Sequence, residues 1–169
     1  MANFGYNQSA GTVFVEYNPF SVSGTARGVF ELSSGTGDNK LHSRASIDKH
    51  WLVRSGATTQ ANIDLGSATE GQQNKIAGVY KLNDFAASLD GSAVTTDTSG
   101  SVPTGIEELI VGSTFDGSFL NGHIKSIKYY PRRLTNAQLQ VLTEPRSDAT
   151  LSLTFDGLES SFTENYIHG

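Results

Sequence analysis

Few of the residues able to do chemistry stand at spacings that would let them. The chain has four histidines (His42, His50, His123 and His168) and no cysteine. The histidines show no metal-ligand spacing. There is no Gly-x-Ser-x-Gly elbow to present a nucleophile, and no Gly-x-x-x-x-Gly-Lys loop to cradle phosphate. The adjacent carboxylates Glu107 and Glu108 point to opposite faces if they lie on a strand, so they cannot form a hydrolytic pair. His123, Lys125 and Tyr129 share one face of a strand if its ladder is regular. That is the kind of constellation a lyase uses, although a solvated polar face is the simpler account. Asp38-Asn39, Asp97 and Asp116 offer hard oxygen ligands compatible with calcium, yet nothing in their spacing requires it, and turn aspartates explain them equally well.

Binding asks less of a sequence than catalysis. A sugar needs an aromatic ring beneath its C–H face and a few polar groups around its hydroxyls. The single tryptophan, Trp51, is flanked by His50 and lies near Arg54. Tyr129 and His123 are the next candidates, with Asn121 and Asp116 in the neighbouring loop. Trp51, Asp116, Asn121, His123 and Tyr129 are therefore the candidate ligand-binding residues, with a core role the plainer account of a lone Trp.

The elements that must position them are short and mostly of period two. In Thr12 to Tyr17, Val13, Val15 and Tyr17 fall on one face and Phe14 and Glu16 on the other. Further strands are predicted over Gly28–Leu32, Leu41–Ile47, Trp51–Arg54, Ala61–Leu65, Lys75–Leu82, Phe85–Leu89, Glu108–Val111, His123–Tyr130 and Thr150–Phe155, with an edge strand or tail over Ser161–Ile167. Residues 95–105 read as a surface loop. One helix is predicted over 134–142, with Thr135 as N-cap and Gln138 completing a capping box. About ten strands and one short helix make an all-β, two-sheet antiparallel sandwich.

The bulk properties bound the rest. At 169 residues the chain is one domain's worth, 1–169, long enough to bury a core. The net charge of −5, without basic runs, argues against nucleic acid and against a polybasic membrane patch. No apolar run approaches a transmembrane span, and the start is not a signal peptide. The Met1-Ala2 start and the end at Gly169 are those expected of a domain cut from a longer chain. The lack of cysteine points towards a bacterial, viral or cytosol-folded source.

Two stretches carry a resemblance. Asn74-Lys75-Ile76-Ala77-Gly78-Val79-Tyr80, followed by Leu89-Asp90-Gly91, is similar to a hairpin of laminin-G-like lectin domains. Leu109-Ile110-Val111-Gly112, then Gly122-His123-Ile124 through Tyr130 and on to Arg133-Leu134-Thr135, resembles the family's penultimate strands and helix cap. The likeness covers roughly residues 12–142 and implies a concanavalin A-like jelly roll. Where many relatives carry an acidic pair, this chain has Lys125-Ser126, so no cation site is carried over. The same fold hosts glucanases with a Glu-x-Asp-x-x-Glu strand, which is absent here, so the resemblance implies a module that is not an enzyme. The wording is most similar to domains of phage and prophage virion proteins. That implies a carbohydrate- or receptor-binding module on a virion surface, extracellular without a signal peptide, with a glycan or cell-surface polysaccharide as partner. Other virion proteins as partners and a homotrimer follow from the same likeness. The alternatives are a virion decoration or assembly domain without a sugar site, and a carbohydrate-binding module attached to a bacterial polysaccharide-degrading enzyme.

Overall fold

The clearest alternation in the sequence becomes the centre of the structure. β1 (Ala10–Ser21) sends Val13, Val15 and Tyr17 into the core and Phe14 to the opposite face, each almost fully buried. The computed structural model describes residues 5–23, 27–46 and 48–145, and the backbone of two later strands, 150–155 and 158–163. The remaining strands of the sandwich are β2 (Gly28–Ser33), β3 (Lys40–Ala45), β4 (Lys49–Ser55), β5 (Thr58–Asp64), β6 (Asn74–Lys81), β7 (Phe85–Leu89), β8 (Thr95–Asp97), β9 (Glu108–Val111) and β10 (Asn121–Tyr130). They form two antiparallel five-stranded sheets. Sheet I has the order β10-β1-β6-β7-β8, and sheet II the order β5-β4-β3-β2-β9. β11 (Thr150–Phe155) and β12 (Leu158–Thr163) pair with each other as a hairpin. Ile47 and residues 164–167, parts of two predicted strands, lie outside the described residues.

The sheets close on an apolar core in which Val13, Val15 and Tyr17 meet Phe30, Leu32, Leu41, Trp51 and Val53. Gly78 makes room for the indole, since a Cβ there would collide with the Trp51 ring. At one end Lys49 reaches inward across the sandwich and donates to Asn74 Oδ1 at 3.0 Å. The outer face of sheet I is sealed by helix α1 (Asn136–Thr143), where Leu134 and Leu139 cover Phe14, Ala77, Val79 and Ala86. The predicted capping box is present: Thr135 Oγ1 accepts from the Gln138 amide, and the Gln138 side chain accepts from the Thr135 amide. The predicted loop over 95–105 is corrected at its start. Thr95–Asp97 add an edge strand to β7, because backbone pairing overrides the polar composition.

Two departures from regular pairing matter for function. Between β1 and β10 the register skips Lys125, so Tyr17 pairs with Ile124 while Glu16 pairs with Ser126. Near the end of the same pair Phe20 is the extra residue, and it is left half-exposed. The connections β1–β2, β3–β4, β5–β6 and β9–β10 all emerge at one end of the sandwich, which is where they can build a rim.

Candidate functional site: a polar row under an aromatic-bearing loop

Residues 112–120 leave β9, cross that end and fold over the outer face of sheet II. The loop is pinned by its backbone: Gly28 donates to Ser118 O (3.1 Å), Leu120 to Gly112 O (2.8 Å) and Gly117 to Thr114 O (2.9 Å). Gly117 turns the chain at φ +80°, in the left-handed region that glycine tolerates. The Phe115 amide donates to Glu31 Oε1 at 3.3 Å, which ties the roof to the sheet.

Beneath the roof runs a row of polar side chains. The register that sends Leu41, Ser43 and Ala45 inward turns Lys40, His42 and Arg44 outward, beside Glu31 of β2 and His50 of β4. These are not solvated: Glu31 is 0% exposed, His42 1%, Lys40 6% and His50 7%. Lys40 Nζ lies 3.3 Å from Glu31 Oε2, and His42 Nδ1 lies 3.4 Å from the same oxygen. His42 Nε2 faces His50 Nε2 at 3.3 Å, and His50 Nδ1 faces Asp48 Oδ2 at 3.6 Å. Burial alone would raise the Glu31 pKa, but His42 and the Lys40 charge outweigh it, so the carboxyl is held below its usual range. Burial pulls His42 down to about 4, against the pull of Glu31. It lowers His50 as well, with Asp48 opposing. Both rings are therefore neutral at pH 7, beside the Lys40–Glu31 contact.

Above the row the surface is apolar and polar by turns. Phe115 and Phe119 are 51% and 66% exposed. Asp116 stands between them, accepting from Thr114 Oγ1 and facing Arg44 Nη2 at 3.5 Å. The Thr114 hydrogen bond, ahead of the opposing effect of burial, holds the Asp116 carboxyl low. An exposed aromatic ring beside a carboxylate and a guanidinium is the equipment for holding a sugar by its C–H face and its hydroxyls.

The five residues expected from sequence separate. Asp116 is in this loop. Asn121 opens β10 opposite Ser21, and His123 faces outward opposite Asn18, both exposed at the same end. The His123 ring meets the edge of Phe20 at 4.5 Å. It also borders a cleft of about 390 Å³ lined by Asn18, Gln73 and Lys125. Tyr129 does not join them. The skipped Lys125 shifts the alternation by one, so His123 and Lys125 point outward while Ile127 and Tyr129 point into the core. Tyr129 lies towards the opposite end, stacked on Tyr6 at 5.8 Å and 3.0 Å from the Tyr80 hydroxyl. Trp51 is likewise corrected to a core residue: it is 0% exposed and its ring offers no face to a ligand.

Sequence reasoning missed Phe20, Phe115, Phe119 and the polar row. Phe115 and Phe119 carried a signal: two phenylalanines flank the turn-forming Asp116-Gly117, where a solvated loop normally has polar residues. Glu107 is exposed just before β9, and Glu108 pairs opposite Ser33. Of the loops offering hard oxygens, Asn39 Oδ1 accepts from Gly56 and Asp97 Oδ1 from Ser99. Among the described residues no three His, Cys, Asp or Glu side chains converge on a common point. A further cleft of about 380 Å³ beside α1, walled by Tyr130, Leu134, Ala137, Val141 and Leu142, is apolar and lacks the hydrogen-bonding groups a sugar needs.

This architecture has relatives. A laminin-G family model described as the Concanavalin A-like lectin/glucanases superfamily matches residues 2–140, and the chain belongs to that superfamily. No curated protein sequence matches the chain. Among solved structures, the Ruminococcus gnavus IT-sialidase CBM40 superposes with a TM-score of 0.70 at 17% identity, covering 82% of this chain and 85% of that one. Domain 4 of the arabinanase AbnA from Geobacillus stearothermophilus, solved with arabinotriose, gives 0.61 at 14% identity, covering 84% of this chain and 69% of that one. Mouse laminin α1 LG4-5 gives 0.56 at 12% identity, covering 76% and 37%. At these identities the likeness is one of fold.

Proposed function

We propose that the chain is a non-catalytic glycan-binding module whose ligand rests on the rim formed by residues 112–120 and the adjoining ends of β1, β3 and β10. The observation that carries this reading is the surface itself. Phe115 and Phe119 supply exposed rings, and Arg44 and Asp116 supply planar polar groups between them. Phe20, Asn121 and His123 extend the same end towards sheet I. The same CBM40 solved with α2,3-sialyllactose lends support through its similar fold. The setting we favour is the surface of a virion appendage, extracellular and acting on cell-surface polysaccharide. The second reading, a binding module attached to a polysaccharide-degrading enzyme, is favoured by similar folds within a sialidase and an arabinanase.

A glycan array containing sialylated, arabinan and bacterial-surface oligosaccharides, run with and without calcium, tests the reading. Retention on a defined glycan that is lost in a Phe115→Ala, Phe119→Ala double variant supports it. Retention unchanged in that variant moves the site off this rim. No retention on any glycan turns the assignment towards a virion assembly domain without a sugar site.

A further inference from the structure

Lys49 occupies a core position. The alternation along β4 that sends Trp51 and Val53 inward sends Lys49 the same way, and it is 4% exposed. A buried lysine is ordinarily matched by a carboxylate, yet among the described residues Lys49 forms no salt bridge. Its Nζ donates instead to Oδ1 of Asn74 at 3.0 Å, on the opposite sheet, and Asn74 is 0% exposed. An uncharged amide does not offset the cost of burying an ammonium. The amide is also oriented: its Nδ2 donates to Gln72 O at 2.7 Å, which leaves Oδ1 towards Lys49. An amine bonded to Oδ1 at that distance lies within about 4 Å of Cγ. Asp90 stands at the same place, its Oδ1 accepting from the Lys75 amide at 2.6 Å, one residue from Asn74. Burial raises the Asp90 pKa, against the Lys75 amide and the charge of Lys49. Burial lowers Lys49, with Asp90 opposing. An amine and a carboxylic acid are thus the favoured forms around one buried side-chain amide.

We propose that Lys49 and Asn74 join in an intramolecular isopeptide bond, with Asp90 as the proton carrier. The Lys49 Nζ lone pair adds to Asn74 Cγ, the Cγ–Nδ2 bond breaks, one Nζ hydrogen ends on Nδ2, and ammonia leaves. Asp90 gives up its proton and takes one from Nζ, ending as it began. Nothing is oxidised or reduced, and no co-reactant enters. A cleft of about 350 Å³ lined by Gln72, Lys75 and Asp90 gives the ammonia a way out. The bond ties β4 of sheet II to β6 of sheet I at the end of the sandwich that carries the rim. The inference does not rest on the glycan reading, because its readout is the covalent state of the protein alone.

Folded protein is incubated at neutral pH and its intact mass is read. The mass should fall below that of the sequence by one ammonia, about 17 Da. A tryptic digest should then hold residues 45–54 joined to residues 55–75 through Lys49 and Asn74, with cleavage after Lys49 blocked. Lys49→Met and Asn74→Ala, checked for folding by circular dichroism, should keep their full mass. Folded Asp90→Asn should form the link about a hundredfold more slowly. Folded wild-type protein that keeps its full mass overturns the proposal. So does an ammonia loss that the digest maps to Asn121-Gly122, where a backbone succinimide would give the same mass. A link that forms at the wild-type rate in folded Asp90→Asn overturns the part given to that carboxyl.

Discussion

Each sheet of this sandwich has an outer face buried to a similar depth, and the two are buried by opposite means. On sheet I, Phe14, Ala77, Val79 and Ala86 are covered by the apolar side of a short helix. On sheet II, Glu31, Lys40, His42 and His50 form a buried polar row, to which a loop is tied through the Phe115 amide on Glu31. The first arrangement stabilises the fold by removing hydrocarbon from water. The second takes charges out of water and recovers the cost only through their mutual contacts. A chain that needed only to fold would gain more from two helix-like covers.

Removing one partner of the buried row should do the most damage. Glu31→Ala leaves Lys40 buried without its counter-charge and releases the Phe115 amide. We expect a loss of about 3–5 kcal/mol in denaturant unfolding, with weaker glycan retention in whatever fraction folds. Leu139→Ala opens the helix-covered face instead. It should cost about 2–4 kcal/mol and leave glycan affinity unaltered, which separates the two faces by function as well as by energy.

Acid should act on the polar face only. The folded state holds His42 near 4, well below its ordinary 6.5. Between those values the unfolded chain binds more protons than the folded one. Stability therefore falls as pH is lowered through that window, by about 3 kcal/mol in total. Glu31, also held low, pulls the same way at the acid end, while Lys40, Arg44 and His50 are the cations that a protonated His42 would meet. Thermal melts at stepped pH measure this, and His42→Gln should flatten the slope above pH 4.5 or so. The smallest effect belongs to the helix cap. Thr135→Ala removes one side of a reciprocal pair and should cost about 1 kcal/mol, visible as a modest fall in melting temperature with the pH slope unchanged.

What could be read from the sequence was whatever is written locally. The alternation of Val13, Val15 and Tyr17 and the Thr135–Gln138 box depend on neighbours within a few residues, and both appear in the structure as expected. The polar row was hidden because Lys40, His42 and Arg44 alternate with Leu41, Ser43 and Ala45 just as a solvated face would. Residues 112–120, far away in sequence, reach this face through the Phe115 amide on Glu31 and Asp116 beside Arg44. Trp51 drew attention through its polar neighbours His50 and Arg54, although its place in the Trp51/Val53 alternation put it with the core. Tyr129 was misplaced by an event no periodicity reveals, the skipped residue at 125.

That skipped residue sets the phase of half a strand. With Lys125 in place, Ile127 and Ile124 both reach the interior despite an odd spacing, and the bulged side chain finds Glu16 at 3.2 Å. Deleting that one residue would leave a regular ladder in which Glu16 still faces Ser126 and Tyr17 still faces Ile124, so His123 stays outward and Ile124 inward, and what is lost is the local bend and the Lys125–Glu16 contact. Point substitutions at the rim alter one contact at a time. A length change that this extra residue cannot absorb would move the whole edge at once, so where along β10 a one-residue change in length is tolerated is a sharper gauge of the rim's architecture than tolerance to changes in composition.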